Sequence, residues 1–78
     1  MKILIIIVAY KTKNELESCL DSIYQNTKDI NFEIAVIDNN SQDSTTKMIE
    51  ENYPKVILVE NNQNVGFAKA VNQGLKIA

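Results

Sequence analysis

An α/β fold, with a parallel sheet of three strands and helices on both faces, is what this sequence predicts. Three observations point to it. Ile3–Ala9, Phe32–Ile37 and Val56–Val59 are short apolar runs rich in β-branched residues, too short for helices and bounded by turn formers. They lack the polar alternation of a half-exposed strand, so both faces of each should be covered, as in parallel sheets. Segments with helical spacing separate and follow them, giving the order β-α-β-α-β-α, which right-handed crossovers fold into one sheet.

Each element has its own justification. The first strand, Ile3–Ala9, is dominated by isoleucine and passes into a polar loop, Tyr10–Lys13. Asn14 is the expected cap of the first helix, with Glu15 and Glu17 in its first turn. Leu16, Leu20, Ile23 and Tyr24 form its apolar stripe, Cys19 beside them reads as a buried thiol, and the helix should end near Asn26. The second strand ends abruptly in Asp38 and breaks into Asn39-Asn40-Ser41. Ser41–Ser44 supplies the cap of a helix that runs to about Glu51, carries Met48 and Ile49 inward and stops at Tyr53-Pro54. Val56–Val59 is the third strand. After the polar loop Glu60–Asn64, Gly66 opens a last helix with Phe67, Ala70, Val71 and Leu75 expected on one buried face.

Composition narrows the function. At 78 residues, the chain can bury only about 60–65% of its unfolded surface. One cysteine and no histidine exclude an internal disulfide, a Cys/His zinc site and any histidine-based triad. Net charge is −2, and the eight cations are scattered lysines with no basic stripe, so nucleic acid is not an expected partner. The apolar start is too short to span a bilayer and has no small-residue cleavage site, so a buried strand and a cytoplasmic chain are expected. No G-x-G-x-x-G, P-loop, G-x-S-x-G or H-E-x-x-H motif is present.

What remains is polar residues at three strand exits, the place where open α/β sheets bind ligands. A carboxylate at the end of a buried strand is costly unless something pairs with it. Asp38 therefore either bonds amides of its own turn or accepts an N–H from a nucleobase. Tyr10 is either a half-buried strand-end aromatic or a platform for the base. Asp43 reads as a helix-start carboxylate. Lys69 is either a solvated lysine or a contact to a base or diphosphate. Asn64 and Gly66 shape a turn, and Asn72 is the candidate for a helix-to-loop hydrogen bond. The chain stops on apolar residues without a cap, as a piece of a longer protein would.

These residues also carry a resemblance. Ile3–Tyr10, the segment Val36-Ile37-Asp38-Asn39-Asn40-Ser41-Gln42-Asp43-Ser44-Thr45, and Asn64-Val65-Gly66-Phe67-Ala68-Lys69-Ala70-Val71-Asn72-Gln73-Gly74 closely resemble family 2 glycosyltransferases of the GT-A fold. The N-V-G-F-A version is most similar to the rhamnosyltransferase-like branch. The resemblance implies a three-layer Rossmann-like N-terminal half with strand order 3-2-1. It implies inverting transfer of a sugar from a UDP- or dTDP-sugar to an acceptor hydroxyl, in cell-wall or polysaccharide biosynthesis. It maps nucleotide binding onto Val8, Ala9, Tyr10, Asp38, Asn40 and Lys69, and makes residues 1–78 the nucleotide-sugar-binding part of the domain. The metal-holding D-x-D strand, the catalytic base and the acceptor pocket are expected beyond residue 78. Mg or Mn is thus expected in the full-length enzyme and none in this piece, which should be inactive alone. The full-length protein is a candidate for peripheral attachment to a membrane. With no fourth strand beside it, strand 3–8 is expected to form a homodimer through its exposed edge. The competing reading is a non-enzymatic α/β nucleotide-binding or interaction module.

Overall fold

A computed structural model describes residues 2–77. The strands are β1 (Ile3–Ala9), β2 (Phe32–Asp38) and β3 (Ile57–Glu60); the helices are α1 (Lys13–Asn26), α2 (Thr45–Asn52) and α3 (Phe67–Ile77). All pairing is parallel, in the order β1-β2-β3, which is the expected 3-2-1 read from the other side. The register runs from Ile3 opposite Phe32 to Ala9 opposite Asp38, and from Ala35 opposite Ile57 to Asp38 opposite Glu60. All three strands therefore finish together, and their exits share one end of the sheet.

Strand alternation splits the core into two layers. Ile34 and Val36 of β2, with Ile5, Ile7 and Ala9 of β1, meet Leu16 and Leu20 of α1 and Met48 and Ile49 of α2. The opposite face is covered by α3, which packs on β1 and β2 through small residues. Ala70 is fully buried, and a Cβ added to Gly74 would lie 2.6 Å from Ile6 Cγ2. That spacing is why a glycine stands inside a helix here: it lets α3 approach the sheet more closely than any side chain allows.

Four local expectations are corrected. α1 begins one residue before Asn14: the Leu16 amide donates to the Thr12 carbonyl at 2.8 Å, and Thr12 holds the cap position without a side-chain bond. Cys19 is exposed, not buried, because it lies on the flank of the Leu16–Leu20–Ile23 stripe. Val56 is buried, but its amide closes a turn onto the Tyr53 carbonyl, so β3 starts at Ile57. On α3, Phe67 is 73% exposed and Leu75 57% exposed, and the expected buried face is rotated. Gln73 on one flank reaches Asn61 beyond β3, and Gly74 rests on Ile6 of β1. Phe67 and Leu75 are thereby turned away from the sheet, with Val71 half-buried between them. Among the described residues β1 pairs with β2 alone, so its outer side is a sheet edge.

Candidate strand-exit site

Asp38 closes β2, and its backbone extends the sheet by one rung on each side. The Asn39 amide donates to the Ala9 carbonyl at 2.8 Å, and the Asn61 amide to the Asp38 carbonyl at 2.9 Å. Its side chain is 4% exposed and turned into its own turn. The Ser41 amide donates to Oδ2 at 3.2 Å and the Ser41 hydroxyl to Oδ1. The same hydroxyl accepts the Lys11 amide at 2.9 Å, tying the exit of β1 to that of β2. This is the turn-bonding role the sequence left open, and it occupies one lone pair on each oxygen. A carboxylate has about four such positions, so acceptor capacity remains.

The loop conformations around it are unusual. Lys11, Asn40, Gln42 and Ser44 have φ of 55°, 67°, 57° and 63°. Asparagine tolerates the left-handed region, but for the others it costs on the order of 1 kcal/mol or more each. Directed bonds hold the run in place. Ser41 is 2% exposed between Asn40 and Gln42. Asp43 accepts both the Thr45 amide, at 3.2 Å, and the Thr45 hydroxyl. Ser44 occupies the cap position of α2 without a side-chain bond, so Asp43, one residue earlier, does the capping. The Thr45 hydroxyl holds the Asp43 carboxyl below the usual range against a small cost of burial, with the amides of Thr45, Asp43 and Lys13 adding to it.

A second network joins the exits of β2 and β3 to α3. Asn61 and Gln73 exchange a reciprocal pair of amide bonds, both 2.8 Å. Asn61 also donates to Asn39 Oδ1 at 2.9 Å, and Asn39 Nδ2 reaches the Gly66 carbonyl at 3.4 Å. Gly66, with φ of 84°, donates its amide to Asn64 Oδ1 at 2.8 Å, which is the turn expected there. The helix-to-loop bond expected of Asn72 is made by its neighbour: Asn72 is exposed and Gln73 faces the loop.

The remaining candidates stand around these networks. Tyr10 is 43% exposed, and the Lys11 ammonium lies 5.2 Å from its ring centroid. Ala9 is buried, while Val8 and Asn40 are half-buried. Lys69 lies apart, exposed on α3 in a hollow of about 290 Å³ with Val65, Asn72, Gln73 and Lys76. Larger hollows, of about 370 Å³ between α1 and α2 and about 460 Å³ around Tyr24 and Phe32, are lined by neither Tyr10 nor Asp38. Among the described residues no group of three or more Asp, Glu, Cys or His could hold a metal ion. The structure thus joins Lys11 and Asp38 through Ser41, with Tyr10 beside Lys11 and Asn40 beside Ser41 in the chain, and leaves Lys69 outside that cluster.

Comparison with known proteins places this arrangement. The model of the family "Glycosyl transferase family 2" matches residues 4–78. The chain belongs to glycosyltransferase family 2. An uncharacterized glycosyltransferase, YfnE of Bacillus subtilis, is 38% identical over the whole of this chain, which covers 20% of that protein. A dolichol-phosphate mannosyltransferase of Pyrococcus furiosus is 32% identical, again over the whole chain and 23% of the relative. Among solved structures, the mannosyltransferase PcManGT of Pyrobaculum calidifontis, in complex with GDP-Man and Mn2+, superposes with a TM-score of 0.84 at 30% identity. That match covers 97% of this chain and 24% of the other. The family 2 chain described here therefore spans about a fifth to a quarter of these three proteins. The family and the α/β fold implied by the sequence resemblance are thereby established.

Sequence reasoning missed Ser41, Thr45, Asn61 and Gln73 as the residues that organise these exits. The D-N-x-S-x-D-x-T segment contained Ser41 and Thr45, but nothing in a linear motif tells which of its polar residues turn inward. Asn61 and Gln73 carry no local signal, because their partnership spans a loop and most of two helical turns. Among the described residues no helix is long and apolar enough to cross a membrane.

Proposed function

We propose that this chain is the nucleoside-holding part of an inverting glycosyltransferase that uses a nucleoside-diphosphate sugar. The observation that carries the reading is the buried Asp38 carboxylate at a strand exit, each oxygen bonded to Ser41 and to no other hydrogen-bond donor among the described residues, with Tyr10 exposed on the adjoining loop. In this reading Asp38 accepts an N–H of the base and Tyr10 stacks on its face. Val8 and Ala9 line the pocket through their backbone, and Asn40 bonds the nucleoside. Lys69 meets the base or the diphosphate from α3. A UDP- or dTDP-sugar is the expected donor, and the GDP-Man held by the Pyrobaculum enzyme makes guanine the comparison to run beside them.

The chemical step needs more than these residues. Glycosyl transfer passes through an oxocarbenium-like transition state, with a carboxylate to deprotonate the acceptor hydroxyl. A divalent metal, when bound, neutralises the leaving diphosphate. The described residues do not fit that ion, since they contain no cluster of metal-binding side chains. We therefore assign the metal and the catalytic base to residues after 78 and expect no transfer by this piece alone. The free edge of β1 is the proposed place where two copies pair, Ile3–Val8 against its counterpart.

The test is a titration of UDP, dTDP and GDP followed by backbone and tyrosine resonances. Tyr10, Asp38 and Asn40 should shift with one nucleotide more than the others. No shift at any of them with any nucleotide would favour the non-enzymatic module. Sedimentation of the same samples at high concentration reads the pairing, and a monomer there would refute it.

A further inference from the structure

Among the described residues, Ser41 is the side chain whose hydrogen bonds join the exits of β1 and β2. Its hydroxyl accepts the Lys11 amide at 2.9 Å and donates to Asp38 Oδ1, while its amide donates to Asp38 Oδ2 at 3.2 Å. It is 2% exposed, and its hydroxyl and amide are already engaged by Lys11 and Asp38. Lys11, which it holds, sits in the left-handed region at φ 55°, directly after Tyr10. A lysine is disfavoured in that region, and the bond from its amide to Ser41 helps hold it there, beside Tyr10.

We propose that Ser41 is a positioning residue that sets nucleoside affinity through Lys11 and Asp38 without contacting the nucleoside. By taking one lone pair of each Asp38 oxygen, it fixes the carboxylate's rotation and leaves one lone pair per oxygen for the base. By accepting the Lys11 amide, it holds the loop that presents Tyr10. The two halves of the nucleoside grip are thereby set by a single hydroxyl, so the grip is organised before the ligand arrives. This rests on the nucleoside reading above and adds to it a residue with a separable effect.

The experiment measures binding of UDP, dTDP, GDP and inorganic pyrophosphate to the unaltered chain, Ser41→Ala and Ser41→Thr by calorimetry, with the Lys11 amide followed by NMR. Loss of a hydrogen bond to a charged group is worth about a 10- to 150-fold change in a binding constant. Ser41→Ala should weaken the best nucleotide by about that factor and shift the Lys11 amide in the free protein. Pyrophosphate binding should not change, because in the nucleoside reading Asp38 and Tyr10 hold the base and not the diphosphate. Ser41→Thr, which keeps the hydroxyl, should restore affinity to within about threefold. Nucleotide binding by Ser41→Ala within about twofold of the unaltered chain overturns the proposal, as does a threonine variant no better than alanine. An equal loss for pyrophosphate overturns it too, since that marks general loosening of the fold. Should Ser41→Ala fail to fold, the unaltered chain decides: nucleotide must slow hydrogen exchange at the Lys11 amide, and unchanged exchange refutes the role. Absence of nucleotide binding by the unaltered chain sinks the nucleoside reading itself, and the Ser41 role with it.

Discussion

The two ends of β2 are held by different physics. At its amino end Phe32 meets Tyr24 at 5.7 Å between centroids, and Tyr24 stacks on Tyr53 at 6.1 Å with the rings 11° from parallel. Contact area does most of the holding there, and the Tyr53 hydroxyl donates outward to Asp21, with the Glu17 carbonyl 3.4 Å away. At the carboxyl end Asp38, Asn39, Ser41 and Thr45 are all buried, and every one is held by directed hydrogen bonds. The backbone differs as sharply. All the positive-φ residues described, Lys11, Asn40, Gln42, Ser44 and Gly66, lie in loops leaving a strand, and none in loops entering one. A fold that needed only stability would have no reason to concentrate strain at one end. Strained backbone collects where a protein holds a ligand, and in open α/β sheets that is the carboxyl end.

Substitutions at each end break or sharpen this contrast. The largest effect is expected at Asp38. Asp38→Ala leaves the buried Ser41 amide and hydroxyl without an acceptor and should cost about 2–3 kcal/mol in urea unfolding. It should abolish nucleotide binding as well. A loss below about 0.5 kcal/mol would mean that the carboxyl end is not held through this carboxylate. Tyr24→Ala comes next. Removing the ring between Phe32 and Tyr53 should cost about 2 kcal/mol through lost area and stacking. Nucleotide affinity should stay within about twofold, and a larger change would couple two ends that the structure keeps apart.

The smallest effect belongs to Tyr53→Phe, at about 1 kcal/mol or less for one partly exposed hydrogen bond. Its value lies in its pH dependence. Partial burial first, and the bond to Asp21 second, push the Tyr53 phenol up from 10.0 to about 12. Between those values the folded chain keeps a proton that the unfolded chain has lost, so stability falls as pH rises. The Tyr53 contribution is complete below about pH 10 and gone by about pH 12. Alkaline unfolding followed by circular dichroism should show that fall in the unaltered chain and a shallower one in Tyr53→Phe.

Much of the architecture was legible in the residues alone. Uninterrupted apolar runs gave three strands and helical spacing between them gave the parallel topology, but only the central β2 is covered as expected, while β1 and β3, at the edges, stay half-exposed. The D-N-x-S-x-D-x-T and N-x-G-F-x-x-A-x-N-x-G segments identified the family. Tertiary structure decided the rest. It turned Cys19 outward, rotated α3 onto Ala70 and Gly74 and left Phe67 and Leu75 exposed. It also drew Asp38 into its own turn and chose Ser41 and Gln73 as organisers. Periodicity fixes the angle between side chains on one element, but not the neighbour each will meet. Which polar residue of a loop is buried, and which φ turns positive, depends on partners up to 30 residues away, as Lys11 and Ser41 show.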